Sequence, residues 1–296
     1  SAAGTADAME VLARVDLTPL EMREVVAQAG ACIAWNGKLN HSILDEAMHQ
    51  VERELALDTR RWSVASILSK KWSAGATHVV IDVPYMPRGK VATLEEAREV
   101  AALFERIGEQ MGLVVRAFPS DGSAPIGRGI GPALEARDVL RVLDNHPDAP
   151  EDLREKSLFF AGQILALDPG VASVEQGLQR AQQLLADGSA RRAFEAIIDA
   201  QGRQPDTDGS SLERVRVNAD RSGRVAAIDA RRISMIARAA GAPADPLAGV
   251  DLACRVGDRV SQGELLYCVQ GRSLERRDKA LSLAHEISGV LISDGA

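Results

Sequence analysis

Between Leu57 and Lys90 the chain gathers an acid, hydroxyls and ammonium groups at spacings that suit proton donation and the holding of a polar or anionic substrate. Asp58 stands immediately before a predicted helix. A partly desolvated carboxyl there keeps its proton near neutral pH and serves as a general acid. The same residue in the same place is also a good helix N-cap, accepting amide N–H bonds, and both readings fit. Ser66 and Lys70 are four residues apart and share a helix face, so they present a hydroxyl and an ammonium together, either to a carbonyl-bearing ring or to water. Lys90 follows Pro87-Arg88-Gly89 at the end of a strand, where crevice ligands bind and Gly89 allows close backbone approach; the plain alternative is a surface lysine.

A second candidate is the glycine-rich loop 121–132, which follows a strand and opens a helix. Its backbone N–H groups suit the cradling of an anion. It is not the dinucleotide fingerprint, because Gly127-Arg128-Gly129 lacks the third glycine at the required spacing. His41, His49, His78, His146 and His285 are scattered, and no pair has zinc-site spacing. Cys32, Cys254 and Cys268 show no ligand spacing either, and their odd number argues for reduced thiols rather than a disulfide framework.

Several elements are needed to position these groups. Thr5 or Asp7 caps a short helix into Met9-Glu10-Val11-Leu12, and Thr18-Pro19-Leu20-Glu21 is a capping box with Pro in the first turn, starting a helix that Gly30 stops. Ala31–Trp35 reads as a short strand ended by Asn36-Gly37, and 42–54 as a helix. The helix bearing Ser66 and Lys70 ends at Gly75. Strand 78–83, helix 93–111 and strand 113–118 then form a parallel crossover. Helices follow over 133–143, 151–167, 173–187 and 190–201. The polar stretch 201–211 is a linker. Beyond it, short apolar runs at 215–217, 224–228, 250–256 and 264–269 surround a helix at 229–240.

The fold class expected is therefore α/β, a mixed or parallel sheet core with flanking helices, followed by an α+β C-terminal part. The division expected is 1–203, a central α/β domain with helices of a small α domain near 42–73, and 212–296, the C-terminal domain. Val256-Gly257-Asp258-Arg259-Val260-Ser261-Gln262-Gly263-Glu264-Leu265-Leu266 resembles the hairpin of barrel-sandwich (lipoyl and biotinyl) modules. Such carriers present a modifiable Lys at a hairpin tip; the matching half-hairpin here, Ala219 to Val225, has none. A noncatalytic carrier or assembly module is thus the alternative of another class.

Composition narrows the partners. A net charge of −7 argues against a broad phosphate-backbone footprint, and 3% aromatics against base-stacking platforms, so no nucleic-acid polymer is expected. No apolar run is long enough to span a membrane, no secretory signal is visible, and a cytoplasmic location is expected. Ser1 to Asp7 is a small-residue turn with no preceding element, so the natural protein is expected to begin further upstream.

Several phrases, in order, resemble the thymidine/pyrimidine-nucleoside phosphorylase family, and its AMP-phosphorylase-type branch in particular. They are Ala3 to Leu12, Val64 to Lys71, Ala74 to Asp82, Ile126 to Leu140, Val217 to Pro243 and Val256 to Leu265, which together span nearly the whole chain. The resemblance implies reversible phosphorolysis: inorganic phosphate, as co-substrate, displaces the base from C1′ of a nucleoside or nucleotide and leaves a pentose 1-phosphate. It implies a homodimer or higher homo-oligomer and no organic cofactor. By resemblance Asp58 is the proton donor; Ser1, Thr5, Ser66 and Lys90 are nucleotide-binding positions; and Lys70 matches a base-contacting lysine of the pyrimidine branch. In that branch carbonyls matching Ile126 and Gly129, with an acid matching Asp138, hold a potassium ion. Two departures stand out. The pyrimidine enzymes' base-binding arginine falls on Val51, and their phosphate loop would lie before Ser1, so the chain by itself is expected to be inactive.

Overall fold

The computed structural model describes residues 2–35, 60–87, 89–205 and 212–293. Asp58, Val51, Ser1 and the helix expected over 42–54 lie outside them.

The first helix, α1 (Thr5–Glu10), starts with Gly4 as its cap, and the Asp7 carboxylate reaches back to the Gly4 N–H at 2.6 Å. Thr5 is therefore the first helical residue and Asp7 caps from inside the first turn, rather than either preceding the helix. Helix α2 (Pro19–Ala29) has the expected capping box. Thr18 Oγ1 accepts the Glu21 N–H, Glu21 Oε2 accepts the Thr18 N–H at 2.7 Å, and Gly30 closes the helix in the left-handed conformation.

Ala31–Trp35 is not a strand. It is held instead by the Trp35 N–H donating to Val15 O at 2.7 Å and by one side chain at Ile33: Gln201 Oε1 accepts the Ile33 N–H at 2.7 Å, and Gln201 Nε2 donates to the Ile33 and Arg14 carbonyls at 3.0 and 2.6 Å. A buried amide can replace a neighbouring strand in this way because it carries both a donor and an acceptor.

Helix α3 (Arg60–Ser73) carries Ser66 and Lys70. Strand β1 (His78–Tyr85), helix α4 (Leu94–Gln110, capped by Thr93) and β2 (Val114–Asp121) follow, and β1 pairs with β2 in parallel, His78 opposite Val114 through Tyr85 opposite Asp121. Then come β3 (Gly129–Ile130), α5 (Pro132–Leu143), α6 (Glu151–Leu165), α7 (Val174–Ala186) and α8 (Ser189–Gln201). The C-terminal part holds β4 (Val215–Asn218), β5 (Gly223–Ile228), α9 (Ala230–Ala240), β6 (Gly249–Leu252), β7 (Arg259–Val260), β8 (Leu265–Gln270), α10 (Leu274–Ile287) and β9 (Val290–Ser293). All four apolar runs contain strands; β9 and α10 lie beyond them.

The chain packs as two compact units, and neither is one continuous stretch. The first comprises residues 1–35, 124–156 and 183–296; the second comprises 36–123 and 157–182. In the second unit Val79, Ile81 and Val83 of β1 are buried with Val100, Ala101 and Phe104 of α4 and with Val64 and Leu68 of α3. The opposite face of the pair carries Phe118, which meets Phe159 and Phe160 of α6 edge-on at centroid distances of 5.1 and 6.2 Å.

In the first unit a four-stranded sheet, ordered β3-β6-β8-β4, and a three-stranded sheet, β7-β5-β9, share a core with α9 and α10. The architecture is mixed α and β, and the strands of the described residues form no closed barrel. The turns at 219–223 and 261–264 are stitched together by Ala219 N–H to Glu264 O and Gly263 N–H to Ala219 O, both at 2.8 Å. Arg221, Ser222, Ser261 and Gln262 occupy these turns, and no lysine does.

Replacing Gln201 with Leu removes three hydrogen bonds and strands the Ile33 and Arg14 backbone groups. At about 1 kcal/mol net per bond, the expected loss is about 3 kcal/mol, measurable by chemical denaturation.

Candidate functional site

Ser66, Lys70 and Lys90 all belong to the second unit, and Thr5 to the first. On α3 positions 64, 66 and 68 are buried. Val64 and Leu68 are fully buried, and Ser66 between them is 8% exposed, so the water-facing reading of the Ser66–Lys70 pair fails for the serine. Lys70, one turn on, is half-buried. Helix α3 is tightened at its end by hydroxyls that return to the backbone, Ser69 Oγ to Ser66 O at 3.0 Å and Ser73 Oγ to Lys70 O at 3.1 Å.

Lys90 is exposed on a loop that closes where β1 ends. Met86 N–H donates to Val91 O at 3.0 Å and Gly89 N–H to Met86 O at 2.9 Å. Gly89 also serves the chain's own packing: a Cβ there would come 2.7 Å from Met86 Cγ and 3.0 Å from Met86 O. The end of β2 joins this corner through Gly122 N–H to Tyr85 O at 2.9 Å. In open α/β sheets ligands sit outside the carboxyl ends of parallel strands, the end at which Lys90 stands. Two polar residues at this corner escaped notice in the sequence: Ser120 Oγ donates to Asp82 Oδ1 at 2.5 Å, across the strand pair. The signal available was a lone acid in the otherwise apolar run Val79-Val80-Ile81-Asp82-Val83.

The glycine-rich loop does not cradle an external anion. The chain's own carboxylates occupy its amides. Asp138 Oδ2 accepts the N–H groups of Arg128 and Gly129, both at 2.7 Å; Asp152 accepts that of Gly127 at 3.0 Å; and Glu135 accepts that of Gly131 at 3.1 Å. The other oxygen of Asp138 accepts Arg137 Nε and NH2 at 3.1 and 2.8 Å, and Arg137 continues bidentately to Asp251 on β6.

This arrangement also tests the cation site expected at Ile126, Gly129 and Asp138. Both carboxylate oxygens of buried Asp138 already accept two N–H bonds each, and a guanidinium neutralises its charge, so these residues do not fit a potassium ion. Among the described residues no other group of acids, histidines and cysteines is arranged to hold a metal.

Against this geometry the comparisons are specific. Residues 224–290 match the pyrimidine nucleoside phosphorylase C-terminal domain. The chain is 58% identical over 273 residues to a "Bifunctional ribose 1,5-bisphosphokinase-thymidine phosphorylase" of Cupriavidus pinatubonensis, covering 92% of this chain and 45% of that protein. It is 52% identical over 296 residues to a protein of the same name from Azorhizobium caulinodans, 100% of this chain and 43% of that one. It is 46% identical over 296 residues to a "Putative thymidine phosphorylase" of Rhodopseudomonas palustris, 99% of this chain and 57% of that one. The chain belongs to the thymidine/pyrimidine-nucleoside phosphorylase family, and it spans about half the length of the relatives it matches. No helix of the described residues is long and apolar enough to cross a membrane.

Glu135 gives this region a measurable pH dependence. Burial first, and then the neighbouring Asp138 and Asp7 carboxylates, raise its pKa from 4.5 to about 7, against the lowering effect of the Gly131 N–H. Because the folded value lies above the unfolded one, the native state holds the extra proton between these two pH values. Stability from this group therefore falls as pH rises from about 4.5 to 7. Glu135→Gln keeps an oxygen for Gly131 and removes the charge. The variant is expected to lack this decline and to be more stable than the parent by about 2–3 kcal/mol at pH 8, read from urea unfolding at pH 5 and 8.

Proposed function

We propose that the full-length protein is a pentosyltransferase that cleaves the N-glycosidic bond of nucleoside 5′-monophosphates with inorganic phosphate, of the AMP-phosphorylase type. The observation that carries the choice of a nucleotide is chemical. Phosphorolysis of a ribonucleoside 5′-monophosphate leaves ribose 1,5-bisphosphate, and relatives 52–58% identical to this chain have names that pair a ribose 1,5-bisphosphokinase with a thymidine phosphorylase. Thymidine would instead leave deoxyribose 1-phosphate. The valine at position 51, where pyrimidine enzymes carry an arginine, points the same way, as does the Lys90 ammonium beyond the end of β1.

In this reading the base departs from C1′ as positive charge builds on the sugar, so the leaving base needs a proton and the phosphates need cations. Asp58 donates that proton. By the resemblance Ser1, Thr5, Ser66 and Lys90 are nucleotide-binding positions, and Lys70 addresses the base. Ser66 is buried together with Val64 and Leu68, which shields its hydroxyl from bulk water. The reaction uses no organic cofactor and gives the free base and the pentose 1-phosphate. The protein acts as a homodimer or higher homo-oligomer in the cytoplasm.

The test is phosphate-dependent release of free base from a panel of nucleosides and nucleotides by the full-length protein. AMP, CMP or UMP is expected to be cleaved better than thymidine; a tenfold preference for thymidine in kcat/KM, about 1.4 kcal/mol of transition-state binding, would overturn the nucleotide reading. Asp58→Asn is expected to lower kcat by about 10²–10⁴-fold with an unchanged melting temperature, since Asn caps a helix as well as Asp but donates no such proton. Parental kcat in that variant would remove Asp58 from the chemistry.

A further inference from the structure

The amides of the glycine-rich loop are spent on the chain's own carboxylates, but the side chain of the loop's arginine is not. Arg128 donates NH2 to the Asp148 carbonyl at 2.6 Å, and among the described residues its buried Nε donates to nothing and no carboxylate pairs with it. Its backbone N–H lies on Asp138 Oδ2 while Arg137 holds Asp138 Oδ1, so Arg128 and Arg137 meet at one acid. Arg141 follows Arg137 by one turn of α5 and shares its face. It is half-buried, and among the described residues its side chain has neither a hydrogen bond nor an ion pair. Burial, and then the Arg137 and Arg128 guanidiniums, hold its pKa below the usual arginine value, which marks the three as neighbours.

The charges here do not balance. Asp138 and Asp251 are the acids beside Arg141, and both are bound by Arg137. Asp152 uses its oxygens on the Gly127 and Leu153 N–H groups, and the Asp148 carboxylate stands 4.0 Å from His146. Two half-buried guanidiniums, Arg128 and Arg141, are left without a carboxylate, which costs free energy until a counter-anion arrives. A guanidinium is a planar fork that takes two oxygens of a phosphate at once. A carboxylate offers one edge to one fork, whereas a tetrahedral phosphate offers several, so two arginines around one anion suit phosphate. We infer that Arg128 and Arg141 form a binding site for a phosphate group, carried either by inorganic phosphate or by a nucleoside triphosphate. Neither arginine is among the positions that the family resemblance assigns to the substrate.

The experiment is equilibrium dialysis of the full-length protein and its Arg141→Ala and Arg128→Lys variants against radiolabelled inorganic phosphate, and separately against ATP, at constant chloride. Anion held at the substrate site is common to parent and variants, so the difference between them reads this site. The parent is expected to bind one anion per chain about 10- to 100-fold more tightly than Arg141→Ala, the usual worth of a hydrogen bond to a charged group. Arg128→Lys, which keeps the charge and loses the fork, is expected to weaken binding about threefold to tenfold. Arg141→Ala is expected to keep the parental melting temperature without the anion and to lose the rise that the anion gives the parent. If Arg128→Lys does not fold, Arg141→Ala decides. A loss seen with inorganic phosphate assigns the site to free phosphate, and a loss seen with ATP alone assigns it to a nucleotide's phosphates. Uptake of both anions unchanged in the folded variants would overturn the site, whatever the outcome of the phosphorolysis assay.

Discussion

The first unit depends on one buried carboxylate. Asp138 gathers the N–H groups of Arg128 and Gly129 on one oxygen and the Arg137 guanidinium on the other, and Arg137 carries the connection to Asp251. A charge buried this deeply is costly unless every acceptor position is used, and here each is. The consequence is topological. The loop is pulled into an extended turn whose end, Gly129–Ile130, becomes the edge strand of a sheet otherwise built from residues more than eighty positions away, pairing with Val250 and Asp251. Gly131 follows with φ +133°, where a Cβ would lie 2.3 Å from Ala248 O, so the approach of loop and sheet admits glycine at this point.

The loop thereby changes meaning. Backbone N–H groups at a helix start attract anions, and the sequence advertised such a place. Asp138, Asp152 and Glu135 take the role of the anion within the fold itself. The same satisfaction explains why the potassium-holding triad of the pyrimidine branch is not reproduced: an acid whose four acceptor positions are filled by N–H donors, one pair from a guanidinium, has nothing left for a cation.

Local signals in the sequence were reliable wherever the physical cause was local. Thr18 with Glu21, Thr93 before α4, Gly30 and Gly75 marked helix ends through caps and left-handed turns, which neighbouring residues decide among themselves. The apolar β-branched run at 79–83 marked a strand buried on one face at least, and the ordered phrases shared with the phosphorylases marked the family. Ser66 and Lys70 were legible as a pair because helical period alone places them together.

What escaped the sequence was decided by partners far along the chain. Ala31–Trp35 has a strand's composition, but Gln201, 168 positions from Ile33, takes both backbone groups of Ile33 and no strand forms. The destination of the glycine loop's amides, the burial of Ser66 and the union of Asp82 with Ser120 likewise follow from packing between separated segments. Residue types and short spacings determined the helices, the turns and the chemical repertoire. Tertiary structure alone decided which polar groups meet which partners, because a hydrogen-bonding group is committed by whichever partner the fold brings within about 3 Å, and sequence distance does not measure that.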